Sequence, residues 1–346
     1  MRHFRLSFLV TFILMCVAAW WGYSRGGIPG MLTALWISAV LGVLEVSLSF
    51  DNAVVNASVL RHWNAFWRKL FLTVGILVAV FGMRLVFPLV IVSVATGLGL
   101  LDVWTMAINT PDEYSRHLTE NHAEVAAFGG AFLLLVFLNF LFDEEKELHW
   151  LGLLEEKVGK YGSESLSVML TLCAAFMAMY LVPEARKLSV LMAGVLGVVI
   201  YVGVNWISTL LEEEEADPTL GQMVSRGSIG GFLYLEVLDA SFSFDGVIGA
   251  FAITSDVVII MLGLAIGAMF VRSMTVYLVD KGTLQEFVYL EHGAHYAIGI
   301  LAVIMFASVR YHIPEWFTGL SGVAFILVSL WSSLRYKKRQ EALGVA

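Results

Sequence analysis

The sequence predicts an all-α fold: a polytopic bundle of about ten transmembrane helices that contains an inverted internal repeat. Three observations predict it. Of 346 residues, 59% are hydrophobic and only 14% are charged, and several apolar runs reach the roughly 20 residues that a helix needs to cross a bilayer. An acidic motif inside one of these runs returns, much later, inside another. Lys and Arg gather in alternate loops. No polar stretch is long enough to hold a soluble core of its own.

Hydropathy places the spans at residues 6–21, 31–60, 70–96, 125–142, 166–182, 188–211, 229–253, 257–279, 294–309 and 316–334. The first follows the basic stretch Met1-Arg-His-Phe-Arg5 and resembles a signal peptide, but no small-residue cleavage site follows it, so it is expected to be retained as a helix. Spans two and seven carry the acidic motif, and spans three and eight each carry one arginine. The fourth ends at the acidic loop Asp143 to Glu147; the fifth and sixth precede a second acidic run, Glu212 to Asp217. Span nine opens with Glu291 and His292, and span ten leads into a basic tail. The expected organisation is an N-terminal span and loop (1–30), a first repeat core (31–142), connecting spans with acidic loops (143–225), a second repeat core (226–311), and a last span with the tail (312–346).

The motif Glu45-Val-Ser-Leu-Ser-Phe-Asp51-Asn52 returns as Asp239-Ala-Ser-Phe-Ser-Phe-Asp245-Gly246. Ser47, Ser49, Phe50 and Asp51 reappear unchanged, and Glu45 becomes Asp239. An ionisable residue within a span costs about 3 kcal/mol on insertion scales, so a repeated set of them requires a purpose. At 100° per residue Glu45, Ser49, Asn52 and Asn56 share a stripe beside Ser47 and Asp51; on span seven Glu236, Asp239, Ser243 and Gly246 share one beside Ser241 and Asp245. Carboxylate, amide and hydroxyl oxygens are the ligand set of hard divalent cations. Glu45, Asp51, Asn52, Glu236, Asp239 and Asp245 are therefore the candidate metal-handling residues. The four serines are expected to serve packing first, by bonding their own backbone.

With the N-terminus and the even-numbered loops on one side, fourteen Lys and Arg face that side and five face the other, which puts both termini in the cytoplasm. Five reversals separate the motif-bearing spans, so the two motif helices run in opposite directions. Gly75 and Arg84 on span three are spaced as Gly263 and Arg272 on span eight, and His122, Ala127 and Gly129 match His292, Ala297 and Gly299. Arg84 and Arg272 either snorkel to an interface or pair with the carboxylates, holding the empty site together. For His292 and His295, a solvated helix end competes evenly with a ligand or proton-relay role. The segment from Asp102 to Glu124 reads as a solvated outer connection, with weak cation attraction as the alternative. Glu212 to Glu215 reads as a solvated cytoplasmic loop.

The net charge of −8 argues against nucleic acid as a partner. Cys16 and Cys173 read as packing residues. No GxxxxGK[ST] stretch is present, so energy is expected from an ion gradient, and no cofactor is implied.

The acidic motif, its second version Ser-Phe-Ser-Phe-Asp245-Gly-Val-Ile-Gly-Ala-Phe-Ala-Ile-Thr254, and Leu290-Glu-His-Gly-Ala-His-Tyr-Ala-Ile-Gly299 resemble the TerC/Alx family of bacterial integral membrane proteins. The similarity extends from Met31 to about Val309. It implies metal-ion homeostasis, with Mn²⁺ export as the activity and tellurite resistance as the family's historical label. The expected protein is thus a divalent-cation transporter of the bacterial inner membrane, driven by a proton gradient, with the divalent ion and the lipid bilayer as partners; a homo-oligomer is left open. Carried over by motif, Glu45, Asp51, Asn52, Asp239 and Asp245 handle the metal. Gly246 departs from the family's small polar residue at that position and offers backbone or space instead. Two other classes remain: a membrane-embedded metalloenzyme, which has no need of an inverted repeat, and a membrane scaffold or insertion factor, which would tolerate Asp-to-Asn changes.

Overall fold

The computed structural model describes residues 2–75, 77–143, 146, 148–211, 228–281 and 287–342. Every regular element among the described residues is helical. In chain order these are α1 (Arg5–Leu48), α2 (Phe50–Leu60), α3 (Ala65–Leu70), π-helical stretches at Phe71–Gly75 and Val78–Val86, α4 (Phe87–Thr96), α5 (Leu100–Asn109), α6 (Pro111–Glu120), α7 (His122–Leu141), α8 (Leu153–Tyr161), α9 (Glu164–Met179), α10 (Glu184–Leu211), α11 (Ile229–Ile253), α12 (Val257–Asp280), α13 (Leu290–Ser308) and α14 (Glu315–Ala342). Among the described residues seven helices are long and apolar enough to cross a membrane, and an eighth is added if α8 and α9, bent by 99°, are one crossing. The acidic run Glu212 to Glu215 lies outside the described residues.

α1 is two helices. Gly26 and Gly27 leave helical geometry, and Gly27 takes φ 61° and ψ −147°, a region that only glycine occupies readily. A Cβ added to Gly22 would lie 2.4 Å from the carbonyl oxygen of Gly30 and 2.6 Å from Ala34 Cβ. In a continuous helix Gly22 and Gly30 would stand about 12 Å apart. The chain therefore doubles back at Gly26-Gly27. Its second arm stops at Ser49 (φ −102°, ψ 19°), and α2 resumes at Phe50. The expected span 31–60 is thus interrupted inside the acidic motif.

The chain forms two compact units. The first comprises Met1–Ala53, Asn64–His122 and Leu235–Tyr277 and is built around α12. The first arm of α1 runs antiparallel to α12: Ser7 Oγ donates to the Met269 carbonyl (2.6 Å), Phe8 meets Phe270 edge-on (5.3 Å), and Trp21 Nε1 donates to Asp256 (2.9 Å). The second arm runs parallel to α12, with Gly263 against Leu41, Gly42 against Ile266 and Gly267 against Glu45. The π-helical region crosses it antiparallel, Leu72 meeting Arg272 while Val80 packs with Ala265 and Ala268. The stretch after α4 keeps Asp102, Asp112, Glu113 and Glu120 exposed, as expected of a solvated connection, but it is also packed. It forms α5 and α6, which bury Val103, Ala107, Tyr114 and Leu118, with the Tyr114 ring 5.8 Å from that of Phe251.

The second unit comprises Val54–Trp63, Ala123–Tyr234 and Leu278–Ala346. Glycines set its packing. Gly130 of α7 faces Met305 and Phe306, while Gly299 of α13 faces Phe137, so α7 and α13 run antiparallel. α10 runs parallel to α7: Arg186 pairs with Glu124, Gly197 meets Phe128, and Asn139 Nδ2 donates to Tyr201 Oη (2.7 Å). It is antiparallel to α9, Gly194 facing Ala175 and Asn205 bonding Glu164 (3.2 Å). α13 and α14 are antiparallel through Gly293 with Ser329 and Tyr289 with Ser333.

Candidate functional site

Both acidic motifs contribute to the first unit. Glu45 is its best-defined buried carboxylate, with 2% of its surface exposed. It sits four residues before the break at Ser49, so the Ser49 hydroxyl reaches back and donates to Oε1 (3.0 Å). The Arg84 guanidinium, from the π-helical stretch Val78–Val86, donates to the same oxygen in a buried ion pair. Two glycines wall the carboxylate. A Cβ on Gly267 would lie 2.3 Å from Glu45 Cβ, and one on Gly246 would lie 3.0 Å from Oε2. Gly246 belongs to the second motif. The two motif helices therefore meet where Gly246 replaces the Asn52 of the first motif, and the space it leaves is taken by Glu45.

Asp51 and Asn52 open α2 just beyond the break, and both are buried. Asp51 Oδ1 accepts from the Asn52 backbone N–H (2.9 Å), while Asn52 Oδ1 has no hydrogen-bond partner among the described residues. A carboxylate in the first turn of a helix that accepts one of the free N–H groups there keeps lone pairs for another cation or donor. Ser47 and Ser241 bond the carbonyls four residues earlier (2.8 and 3.0 Å), the packing role expected of them.

On α11, Glu236 and Asp239 are buried on one face, one turn apart. The Glu236 carboxylate has 5% residue exposure and packs on the bare Cα of Gly75, where a Cβ would come within 2.6 Å of Oε1. Neither of its oxygens has a hydrogen-bond partner among the described residues. A buried carboxylate in that condition requires a proton or a cation. Asp245 lies on α11, and its side chain is outside the described residues. Among the described residues no three His, Cys, Asp or Glu side chains converge on one metal position.

Arg272, matched by spacing to Arg84, bonds no carboxylate among the described residues. Its Nε (2.8 Å) and a terminal nitrogen (2.5 Å) both donate to the Leu72 carbonyl of the first π-helical stretch. His292 and His295 belong to the second unit and have structural partners there. His292 Nε2 donates to the Leu148 carbonyl (2.8 Å), which fixes the proton on that nitrogen, and lies 3.7 Å from Glu155, the partner of Lys146. His295 Nδ1 donates to the Glu291 carbonyl (2.9 Å), and its ring stacks on Phe140 at 3.9 Å.

Gly267 is the residue that sequence reasoning missed. Its signal was the run Gly263-Leu-Ala-Ile-Gly267, a small-xxx-small pattern that admits a neighbouring helix closely.

Fold and site together define an all-helical protein in which several helices can cross a membrane and one apolar unit buries acidic residues from two distant motifs. The chain matches the model of a family described as "Protein of unknown function (DUF475)" over residues 50–340, and it belongs to that family. The matched segment contains every candidate residue except Glu45, which lies just ahead of it. No curated protein and no solved structure matches the chain.

Proposed function

We infer that the protein is an integral membrane transporter of divalent cations, with Mn²⁺ as cargo, efflux as direction and protons as the coupling ion, related to the TerC/Alx family through its acidic motifs. The observation that carries this reading is Glu45: a carboxylate buried in an apolar helix, at a helix break, against the glycine of a second acidic motif. Interrupted helices that bring charge together from two repeats are how many transporters build an ion site at mid-membrane.

Helix directions support a ten-span topology. Splitting α1 at Gly26-Gly27 gives two crossings. α11 is 25 residues long and otherwise apolar, with Glu236, Asp239 and Asp245 as its charges. The packed pairs then alternate as ten successive crossings require: the first arm of α1 and the π-helical region antiparallel to α12, the second arm parallel to it, α7 antiparallel to α13 and parallel to α10. The repeat finds support in matched contacts. Gly263 receives the second arm of α1, and its counterpart Gly75 receives α11. With the basic loops inside, both termini are cytoplasmic and the membrane is the bacterial inner membrane.

A scaffold reading draws support from the Glu45–Arg84 pair, because a charge satisfied internally can be purely structural. Transport of Mn²⁺ into inverted vesicles separates the two readings: flux that depends on Glu45 favours the transporter, and its absence favours the scaffold.

A further inference from the structure

The two repeats use their matched arginines differently. Arg272 places two donors on the Leu72 backbone carbonyl and so joins α12 to the π-helical region. Arg84 places its charge on Glu45. A guanidinium stays protonated throughout the physiological range, and a carboxylate surrounded by apolar helices cannot remain charged alone. In the conformation described here Arg84 therefore supplies the positive charge that a bound cation would otherwise supply. The oxygens are divided: Oε1 takes both Arg84 and Ser49, whereas Oε2 faces Gly246, where the other motif helix presents no side chain. Arg84 also lies in a π-helical stretch, a rare backbone form that collects at functional sites.

We propose that Arg84 is a tethered competitor of the transported cation: its guanidinium and a divalent cation exclude one another at Glu45, so the site holds cargo only when Arg84 has withdrawn. This deepens the transporter reading and rests on it. A binding site that is never without a counter-charge avoids exposing a bare carboxylate to the apolar interior between loading and release. Confining the competitor to one repeat leaves Arg272 as a fixed joint about which Arg84 can act alone.

The test is Mn²⁺ binding to the purified full-length protein at pH 8, where protons compete weakly. Arg84→Gln is expected to bind Mn²⁺ about tenfold more tightly than the wild type, the smaller end of what one adjacent opposite charge is worth to a carboxylate. Arg84→Lys, which keeps the charge without the planar fork, is expected to fall between them. The double variant Glu45→Gln/Arg84→Gln is expected to lose the gain. Arg84→Gln binding no more tightly than the wild type, or Arg84→Lys binding as tightly as Arg84→Gln, overturns the proposal. If Arg84→Gln does not fold, Arg84→Lys decides it by binding more tightly than the wild type or failing to. Mn²⁺ binding by none of the proteins, the wild type included, defeats the transporter reading and the competition with it; binding by the wild type without a gain on removing Arg84 defeats only the competition.

Discussion

Gly267 lies directly against the side-chain stem of Glu45, so close that a methyl group on it would sit 2.3 Å from Glu45 Cβ. The relationship makes a backbone position on α12 a determinant of where a carboxylate on α1 can stand. Gly267→Ala must push the two helices apart or displace Glu45. Overpacking of this kind costs about 1–3 kcal/mol. Thermal unfolding of the purified protein should show the loss, accompanied by weaker Mn²⁺ binding. Gly246→Ala, whose added carbon would stand 3.0 Å from Oε2, should disturb cation binding with a smaller loss of stability.

Arg272 should behave as a joint. Replacing it with Met removes two hydrogen bonds to the Leu72 carbonyl and is expected to cost about 1.5–3 kcal/mol, the range for bonds involving a charged group. Mn²⁺ affinity of the folded protein should stay at the wild-type value. A variant that folds normally but binds the cation differently would assign Arg272 to the site.

The proposed ten-span topology depends on the reversal at Gly26-Gly27. Gly27→Ala forces a methyl-bearing residue into φ 61°, ψ −147° and should cost of order 1–3 kcal/mol. Single cysteines placed at Ser24 and at Arg339, in a background lacking Cys16 and Cys173, should be labelled by impermeant reagents from opposite sides of the membrane. Labelling of both from one side would contradict the ten-span arrangement.

In the proposed topology Asp51, six residues beyond Glu45 and past the break at Ser49, stands toward the cytoplasm, and Asp245, six residues along α11 from Asp239, stands outward by about 9 Å at helical rise. Asp51→Asn is therefore expected to slow loading from the cytoplasm, and Asp245→Asn to slow release and trap bound metal. Vesicle assays giving identical affinity and exchange rate for both variants would rule out this ladder.

Much of this architecture was legible because apolar length and repeated charge are written along the chain. The acidic motifs, the paired Gly and Arg spacing and the helical class all rest on local pattern. What was not legible depends on approach between helices. Nothing in the motif distinguishes Arg84, which reaches a carboxylate, from Arg272, which reaches a carbonyl, because the spacing that matches them does not say which group of a neighbouring helix each one meets. The break at Ser49 was hidden for the same reason: an apolar run that continues from Leu48 to Leu60 carries no Gly or Pro to announce it. The burial of Tyr114 and Leu118 contradicts the polar composition around them, since two short amphipathic helices need only a few inward residues to pack.

The central claim, that Glu45 stands in a cation path, is tested most directly by Mn²⁺ uptake into inverted vesicles carrying an imposed pH gradient, acid inside. Wild-type vesicles are expected to accumulate Mn²⁺ and to dissipate the gradient as they do so, and Glu45→Gln vesicles containing equal amounts of folded protein to do neither. Equal Mn²⁺ accumulation by wild-type, Glu45→Gln and protein-free vesicles would contradict it.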